Sequence, residues 1–388
     1  MSAKEIVARC ETLFEDLRFG AVREWKAAAP GRKAIGYLPI YVPREIIHAA
    51  GMLPVGIFGG GDQMEVIQGD AYYQSYICRI PRSTLELGLT GRLDVLDGVL
   101  FPSICDVIRN LSGMWQILFK DKYVKYFDVP QDYDDAIGGK FYVHEMQALR
   151  DDLARLAGRA IPDDALRASI EVYNDNRRAV RELYAYRAQK PWQAPTSEVY
   201  LLLRAGCVLP PEAHTALVRE YVAATDAEPR ARRDNARVVV TGAFCEQPPL
   251  TLIKSIEMSG CYVVDDDFQL NQSFLLEDVA TQGDPLEALA MAFLHHSAQT
   301  SSKYDDKRED KGRYLLHQVK SRGAEGVVFA APSFCDPALL ERPMLQEVLA
   351  KHKVPYTAFK YAENTGQMAP IREQAGTFAD SIKLWSAA

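Results

Sequence analysis

Two distant stretches of the chain share one pattern, DGVLFPSICD at 97–106 and EGVVFAAPSFCD at 325–336. Each runs from an acidic residue and a glycine through an apolar β-type segment to a proline, a serine and a Cys-Asp pair. An unbroken apolar run of this length reads as a strand buried on both faces, as in a parallel sheet covered by helices. Cys105 and Cys335 then fall just past the carboxyl ends of two such strands, the edge at which open α/β sheets bind ligands. The repeat extends upstream: RKAIGYLPIYVPREIIHAAGMLPVGIF (32–58) and ARVVVTGAFCEQPPLTLIKSIEMSGCYVVDDD (236–267) each read strand, helix, strand. Gly51 and Gly260 follow the helix of each copy, where a left-handed residue ends a helix. The expected fold class is therefore α/β, with two similar Rossmann-like or flavodoxin-like parallel-sheet domains.

Between the two copies the apolar period changes to three and four residues, the mark of amphipathic helices. The expected division is an N-terminal helix at 1–30, a first α/β domain at 31–139, a mainly helical segment at 140–232 and a second α/β domain at 233–388. SSKYDDKREDKGRYLL (301–316) begins as a polar loop and leads into the helix before the second Cys-Asp strand. A net charge of −7 over 388 residues offers no footprint for nucleic acid, and no Lys/Arg block forms a polybasic membrane patch. Residues 1–30 mix Lys4, Glu5, Arg9, Glu11, Glu15, Asp16 and Arg18 into a helical pattern, a surface helix and not a signal peptide. No apolar run reaches the ~20 residues of a membrane span. The expected location is cytoplasmic.

Seven cysteines, at 10, 78, 105, 207, 245, 261 and 335, are scattered, with no CxxC. An odd count without an export signal points to free thiols or metal ligands and away from a disulfide framework. Three look placed. Cys78 precedes a helix that Pro81 allows to start at about residue 82. Cys105 precedes DVIRNLSGMWQILF, with Asp106 as the expected N-cap. Cys335 precedes Asp336 and Pro337, an N-cap and first-turn proline pair. Helix amino termini present free N–H groups that stabilise thiolates and thiolate-bound anionic groups. Two of these cysteines belong to the first α/β domain and one to the second, so a shared site would lie at the domain cleft. Spacing alone leaves two readings open: three thiols packed as small hydrophobes, or three thiolates with an open fourth position, which suits zinc or a site-differentiated [4Fe–4S] cluster alike.

The chain resembles the benzoyl-CoA reductase and 2-hydroxyacyl-CoA dehydratase family over nearly its whole length. The likeness is carried by PREIIHAAGMLPV (43–55), Cys78 with Arg79, LDGVLFPSICD (96–106), SFCDP (333–337) and GQMAPIREQAGTF (366–378). The surroundings of Cys105 look most like the smaller cluster-bearing subunit, the gamma type, of the ATP-dependent class I reductases. This resemblance implies one [4Fe–4S] cluster held by Cys78, Cys105 and Cys335. It also implies a homologous larger subunit that binds aryl-CoA, ATPase or activator subunits with their own cluster, and ferredoxin as electron donor to the complex. The implied reaction is dearomatising reduction of benzoyl-CoA or a related aryl-CoA to a cyclohexadiene-carbonyl-CoA in anaerobic aromatic degradation. The chain has no G-x-x-x-x-G-K-[ST] phosphate loop, so ATP belongs to the partners.

Two further functions stay in view, a beta-type subunit of a radical 2-hydroxyacyl-CoA dehydratase and a non-catalytic α/β ligand-binding or assembly protein. Cys245, in TGAFCEQPP, is a candidate fourth ligand, with a buried thiol at a turn as the plainer reading. Cys10, Cys207 and Cys261 read as packing. Asp265, Asp266 and Asp267 could hold a cation or form a solvated turn. His295 and His296 end an apolar helical run, where a helix C-terminus accounts for one of them. By the resemblance, Glu45 matches a family position near the active cleft, though it also reads as a first-turn residue. Arg79, Arg82 and Arg109 could tune the cluster or meet CoA phosphates, or form surface ion pairs.

Overall fold

The computed structural model describes residues 1–242, 248–303, 305, 312–362 and 368–386. Helices α1 (Ala3–Glu15) and α2 (Gly20–Ala27) lead into β1 (Ala34–Tyr37), α3 (Arg44–Ala49), β2 (Leu53–Gly56), α4 (Arg79–Leu89), β3 (Gly98–Pro102), α5 (Asp106–Leu118) and β4 (Tyr123–Phe127). Four helices follow: α6 (Lys140–Ala157), α7 (Asp163–Gln189), α8 (Thr196–Ala205) and α9 (Pro211–Ala227). Then come β5 (Ala236–Thr241), α10 (Leu250–Met258), β6 (Cys261–Asp266), α11 (Leu270–Ser273), α12 (Pro285–His295), α13 (Arg313–Ser321), β7 (Gly326–Pro332), α14 (Asp336–Lys351), β8 (Tyr356–Tyr361) and α15 (Met368–Ser386). The strands form two four-stranded parallel sheets of the same order, β2-β1-β3-β4 and β6-β5-β7-β8. The α/β class with two similar parallel-sheet units is as the sequence repeat predicts.

The repeated acid-glycine pair has the same two tasks in each sheet. Asp97 accepts the Ala34 N–H at the start of β1 (2.8 Å) and the Lys26 ammonium (2.7 Å). Glu325 accepts the Arg237 N–H in β5 (2.8 Å). Each carboxylate thus anchors the start of the neighbouring strand, where the ladder leaves a donor unpaired. The glycine then permits close approach: a Cβ on Gly98 would come within 2.6 Å of the Tyr123 carbonyl oxygen, and one on Gly326 within 2.7 Å of the Phe378 ring. Beyond them β3 and β7 are buried along their whole length, which is why they carry no polar alternation. Gly51 and Gly260 take φ of 76° and 91°, as their position after α3 and α10 requires.

The helix α7, 27 residues long, ties the halves together. Its buried Arg177 pairs with buried Glu45 of α3 (2.5 Å), and its Arg187 pairs with Asp266 at the end of β6 (2.5 Å). The chain between β6 and β7 also crosses over. Phe274, Leu289 and Phe293 pack in the core of the first sheet with Tyr41, Phe101 and Tyr142, although they lie after the first two strands of the second sheet. Among the described residues no helix is long and apolar enough to cross a membrane.

Candidate functional site

Cys78, Cys105 and Cys335 are themselves the N-caps of α4, α5 and α14. This differs by a residue or more from the sequence expectation, which put caps at Asp106 and Asp336 and a start near residue 82. The reason is that the first helical N–H groups have no intrahelical partner, so Pro81 and Pro337 fit inside the first turn and do not delay it. The serine of each repeat extends its sheet by one bond: Ser103 N–H donates to Phe127 O (3.0 Å) and Ser333 N–H to Tyr361 O (2.7 Å). The chain then turns sharply. At Phe334 it takes φ of 68°, a costly conformation for a bulky residue, and this turn sets Cys335 at the head of α14.

These three thiols, drawn from both halves of the chain, line one cavity of about 420 Å³. Its other walls are largely apolar and include Pro39, Ile80, Ile104, Phe334, Leu340 and Met344. Phe334, Leu340 and Met344 are at least half exposed and form the mouth. The charged lining residues are Asp106, Asp336 and Glu341, all carboxylates. Burial pushes the Cys105 thiol up; the N–H groups of Ile108 and Val107 oppose the shift, and Cys335 and Asp106 add to it. Among the described residues no three His, Cys, Asp or Glu side chains converge to hold a single metal ion. The thiols surround a space instead of meeting at a point, and they are the soft donors here that could hold a metal group.

Two hydroxyls, one in the cavity wall and one on the segment before Cys78, lack a hydrogen-bond partner. Ser301 lines the cavity and its Oγ is buried and unbonded, whereas Ser302 beside it donates to Ile104 O (3.1 Å). The Tyr73 hydroxyl is likewise buried and unbonded; burial pushes its pKa up, and the nearby Cys78 and Cys105 add to the shift. Neither residue stood out in the sequence, because an orphaned hydroxyl is defined by what surrounds it. Unpaired polar atoms beside three thiols fit a site built around a sulfur-rich, hydrogen-bond-accepting group.

The remaining candidates lie elsewhere. Glu45 is buried against Arg177 and does not line the cavity. The three aspartates form neither a solvated turn nor an open cation site. Asp265 pairs with Arg322 (2.8 Å), Asp266 with Arg187, and Asp267 accepts from Thr241 Oγ1 (3.1 Å) and Gly242 N–H (2.7 Å). His295 pairs with Asp135 (2.6 Å) and His296 with Glu277 (3.2 Å). Arg82 pairs with Asp70 (2.8 Å), Arg109 with Asp106 (3.0 Å), and Arg79 donates to Met64 O (2.7 Å). Cys10, Cys207 and Cys261 are buried thiols. Cys245 lies outside the described residues.

Comparison with known proteins adds to this geometry. A family model described as 2-hydroxyglutaryl-CoA dehydratase, D-component, matches residues 39–382. The chain is 64% identical over 386 residues, spanning 100% of both chains, to the C-type subunit of benzoyl-CoA reductase of Thauera aromatica. It is 30% identical over 361 residues to the beta subunit of (R)-2-hydroxyglutaryl-CoA dehydratase of Acidaminococcus fermentans, covering 92% of this chain and 94% of that one. With the beta subunit of lactoyl-CoA dehydratase of Anaerotignum propionicum the identity is 28% over 382 residues, 97% and 100% of the two chains.

Proposed function

The chain belongs to the 2-hydroxyglutaryl-CoA dehydratase D-component family, and from that premise we propose that it is the electron-carrying subunit of an ATP-dependent aryl-CoA reductase in the cytoplasm. The observation that carries this is the full-length 64% identity to the C-type subunit of a benzoyl-CoA reductase, joined to three cysteines from two sheets around one cavity. Cys78, Cys105 and Cys335 would hold one [4Fe–4S] cluster, which when bound supplies a one-electron carrier. At the amino end of α5 the Val107 and Ile108 N–H groups favour the Cys105 thiolate, and the amino ends of α4 and α14 would present positive dipole ends to Cys78 and Cys335. Phe334, Leu340 and Met344 give the mouth an apolar rim. Asp106, Asp336 and Glu341 disfavour added negative charge, which holds the site at low potential.

Ring reduction requires electrons at low potential, and in the ATP-dependent reductases ATP hydrolysis drives them there. Without a phosphate loop this chain leaves ATP to partner subunits. A homologous larger subunit would carry the aryl-CoA, and ferredoxin would supply electrons to the complex. A beta-type subunit of a radical dehydratase is the second reading, favoured by the 30% identity to one such subunit. ATP use separates the two. The reductase hydrolyses ATP in every turnover, whereas a dehydratase completes many turnovers after one activation.

The test is iron, acid-labile sulfide and the EPR spectrum of the reduced complex, purified without oxygen, in parallel with a Cys105→Ala complex. Loss of one cluster's iron and sulfide in the variant is expected, as it is for Cys78→Ala and Cys335→Ala. Unchanged iron and EPR in all three would return these thiols to the core and overturn the proposal.

A further inference from the structure

We infer that the Ser301 and Tyr73 hydroxyls are hydrogen-bond donors to the sulfur-bearing group held by Cys78, Cys105 and Cys335, and that they set its reduction potential. This rests on the reading of the cavity as a thiolate-bound cluster site and goes beyond it by naming residues that no cysteine pattern points to.

The argument begins with the cost of the orphaned hydroxyls. A buried O–H without an acceptor forfeits a hydrogen bond it had in water, a loss of about 1–3 kcal/mol. Native chains keep such groups for a reason at each place: strain, a redox or catalytic role, or a water or ion that completes them. Ser301 stands in the wall of the cavity that contains all three thiols, with its Oγ buried and unpaired. Tyr73 does not line the cavity itself; it lies on the segment leading to Cys78, which does, and its hydroxyl is buried and unpaired. No cation lines the cavity among the described residues, and its charged groups are Asp106, Asp336 and Glu341. The cavity wall therefore offers a neutral O–H donor, Ser301, and no ammonium or guanidinium group to a negatively charged sulfur acceptor. Thr84 and Ser112 also carry unpaired buried hydroxyls, but each lies more than a turn inside α4 or α5 and away from the capped end.

A hydrogen bond to a cluster sulfur draws electron density from it and favours the reduced state, so each hydroxyl raises the potential that the carboxylates lower. They are positioning residues: they act on the electron-carrying group, and no bond is made or broken at either oxygen. A donor that bonds only in the loaded state also has a thermodynamic signature. Removing it leaves the metal-free chain as stable as before or more so, because an unpaired polar atom has gone, while the loaded chain loses a bond.

The experiment uses the full complex with Tyr73→Phe, Ser301→Ala and the double variant. Iron and sulfide content are measured first, then the midpoint potential by EPR-monitored titration. The expected result is wild-type iron content with the potential shifted to a lower value in each single variant and further in the double. The thermal midpoint of the metal-free chain is expected to stay put or rise, with a smaller gain on reconstitution than in wild type. Full iron content with an unmoved potential would overturn the inference and leave the cluster reading intact. A metal-free chain destabilised as much as the loaded one would also overturn it, since the hydroxyls would then be ordinary structural groups. Absence of iron from the wild-type complex would instead sink the cluster reading itself.

Discussion

At the scale of single residues, burial decides the chemistry of groups that look ordinary in the sequence. His214 on α9 is 1% exposed; its Nε2 meets Leu202 O (3.2 Å) and its Nδ1 meets the Asn176 amide (2.9 Å). An Asn176 N–H donated to Nδ1 leaves the proton on Nε2, a neutral ring. Burial, with Arg44 adding to it, pushes the His214 pKa down from 6.5 to about 4. The unfolded chain therefore binds a proton that the folded chain refuses. Stability is full above pH 6.5 and is lost as pH falls toward about 4, by ~2 kcal/mol at about pH 5 for this one group. Urea unfolding across that window should show the slope, and His214→Gln should flatten it. Glu45 gives a second expectation. Its partner Arg177 is 3% exposed, so Glu45→Gln strands a buried cation and should cost ~3–5 kcal/mol in the same assay. If the cysteines hold the proposed cluster, iron content should persist, because Glu45 does not line their cavity; loss of iron without loss of stability would contradict the placement.

At the scale of elements, the duplicated motif is a strand-building device. The acid anchors the next strand, the glycine lets a neighbour approach, and the apolar run fills a sheet covered on both faces. Gly98→Ala would push a methyl against the Tyr123 carbonyl at 2.6 Å, a backbone atom that cannot rotate away. The expected cost is about 1–3 kcal/mol of overpacking, read as a lower denaturation midpoint with an unchanged m-value. An unaltered midpoint would mean that β4 shifts freely. The strands and the α3 and α10 glycines were legible because a buried parallel strand and a left-handed helix end each demand residue types that a sequence displays. The helix starts near Cys78, Cys105 and Cys335 were displaced, because a proline in the first turn marks a helix beginning only to within one turn.

At the scale of the whole molecule, the cavity belongs to neither sheet alone. Cys78 and Cys105 arrive with the first sheet and Cys335 with the second, while α7 spans both through Arg177 and Arg187. A group bound by all three thiols would bridge the halves, so its binding energy would add to the stability of their arrangement. If that group is the proposed iron-sulfur cluster, hydrogen exchange on iron-replete and iron-stripped protein should show faster exchange after stripping at the first turns of α4, α5 and α14 together. Faster exchange at one helix alone, or at none, would mean that α7 and the crossover of α11 and α12 already hold the halves in place.

The sequence by itself determined the two parallel sheets, their shared order of elements and the position of three cysteines at helix starts. These follow from local rules: apolar runs, a helix period, and glycine or proline where the backbone demands them. Tertiary structure alone decided that three thiols from both halves share one space. It decided too that Asp265 and Asp266 are spent on arginines, that residues 274–293 serve the first sheet, and that Ser301 and Tyr73 are left without partners. Each of those depends on which atoms lie nearby once the chain has closed on itself, and an amphipathic helix or a hydroxyl carries no record of its eventual neighbour.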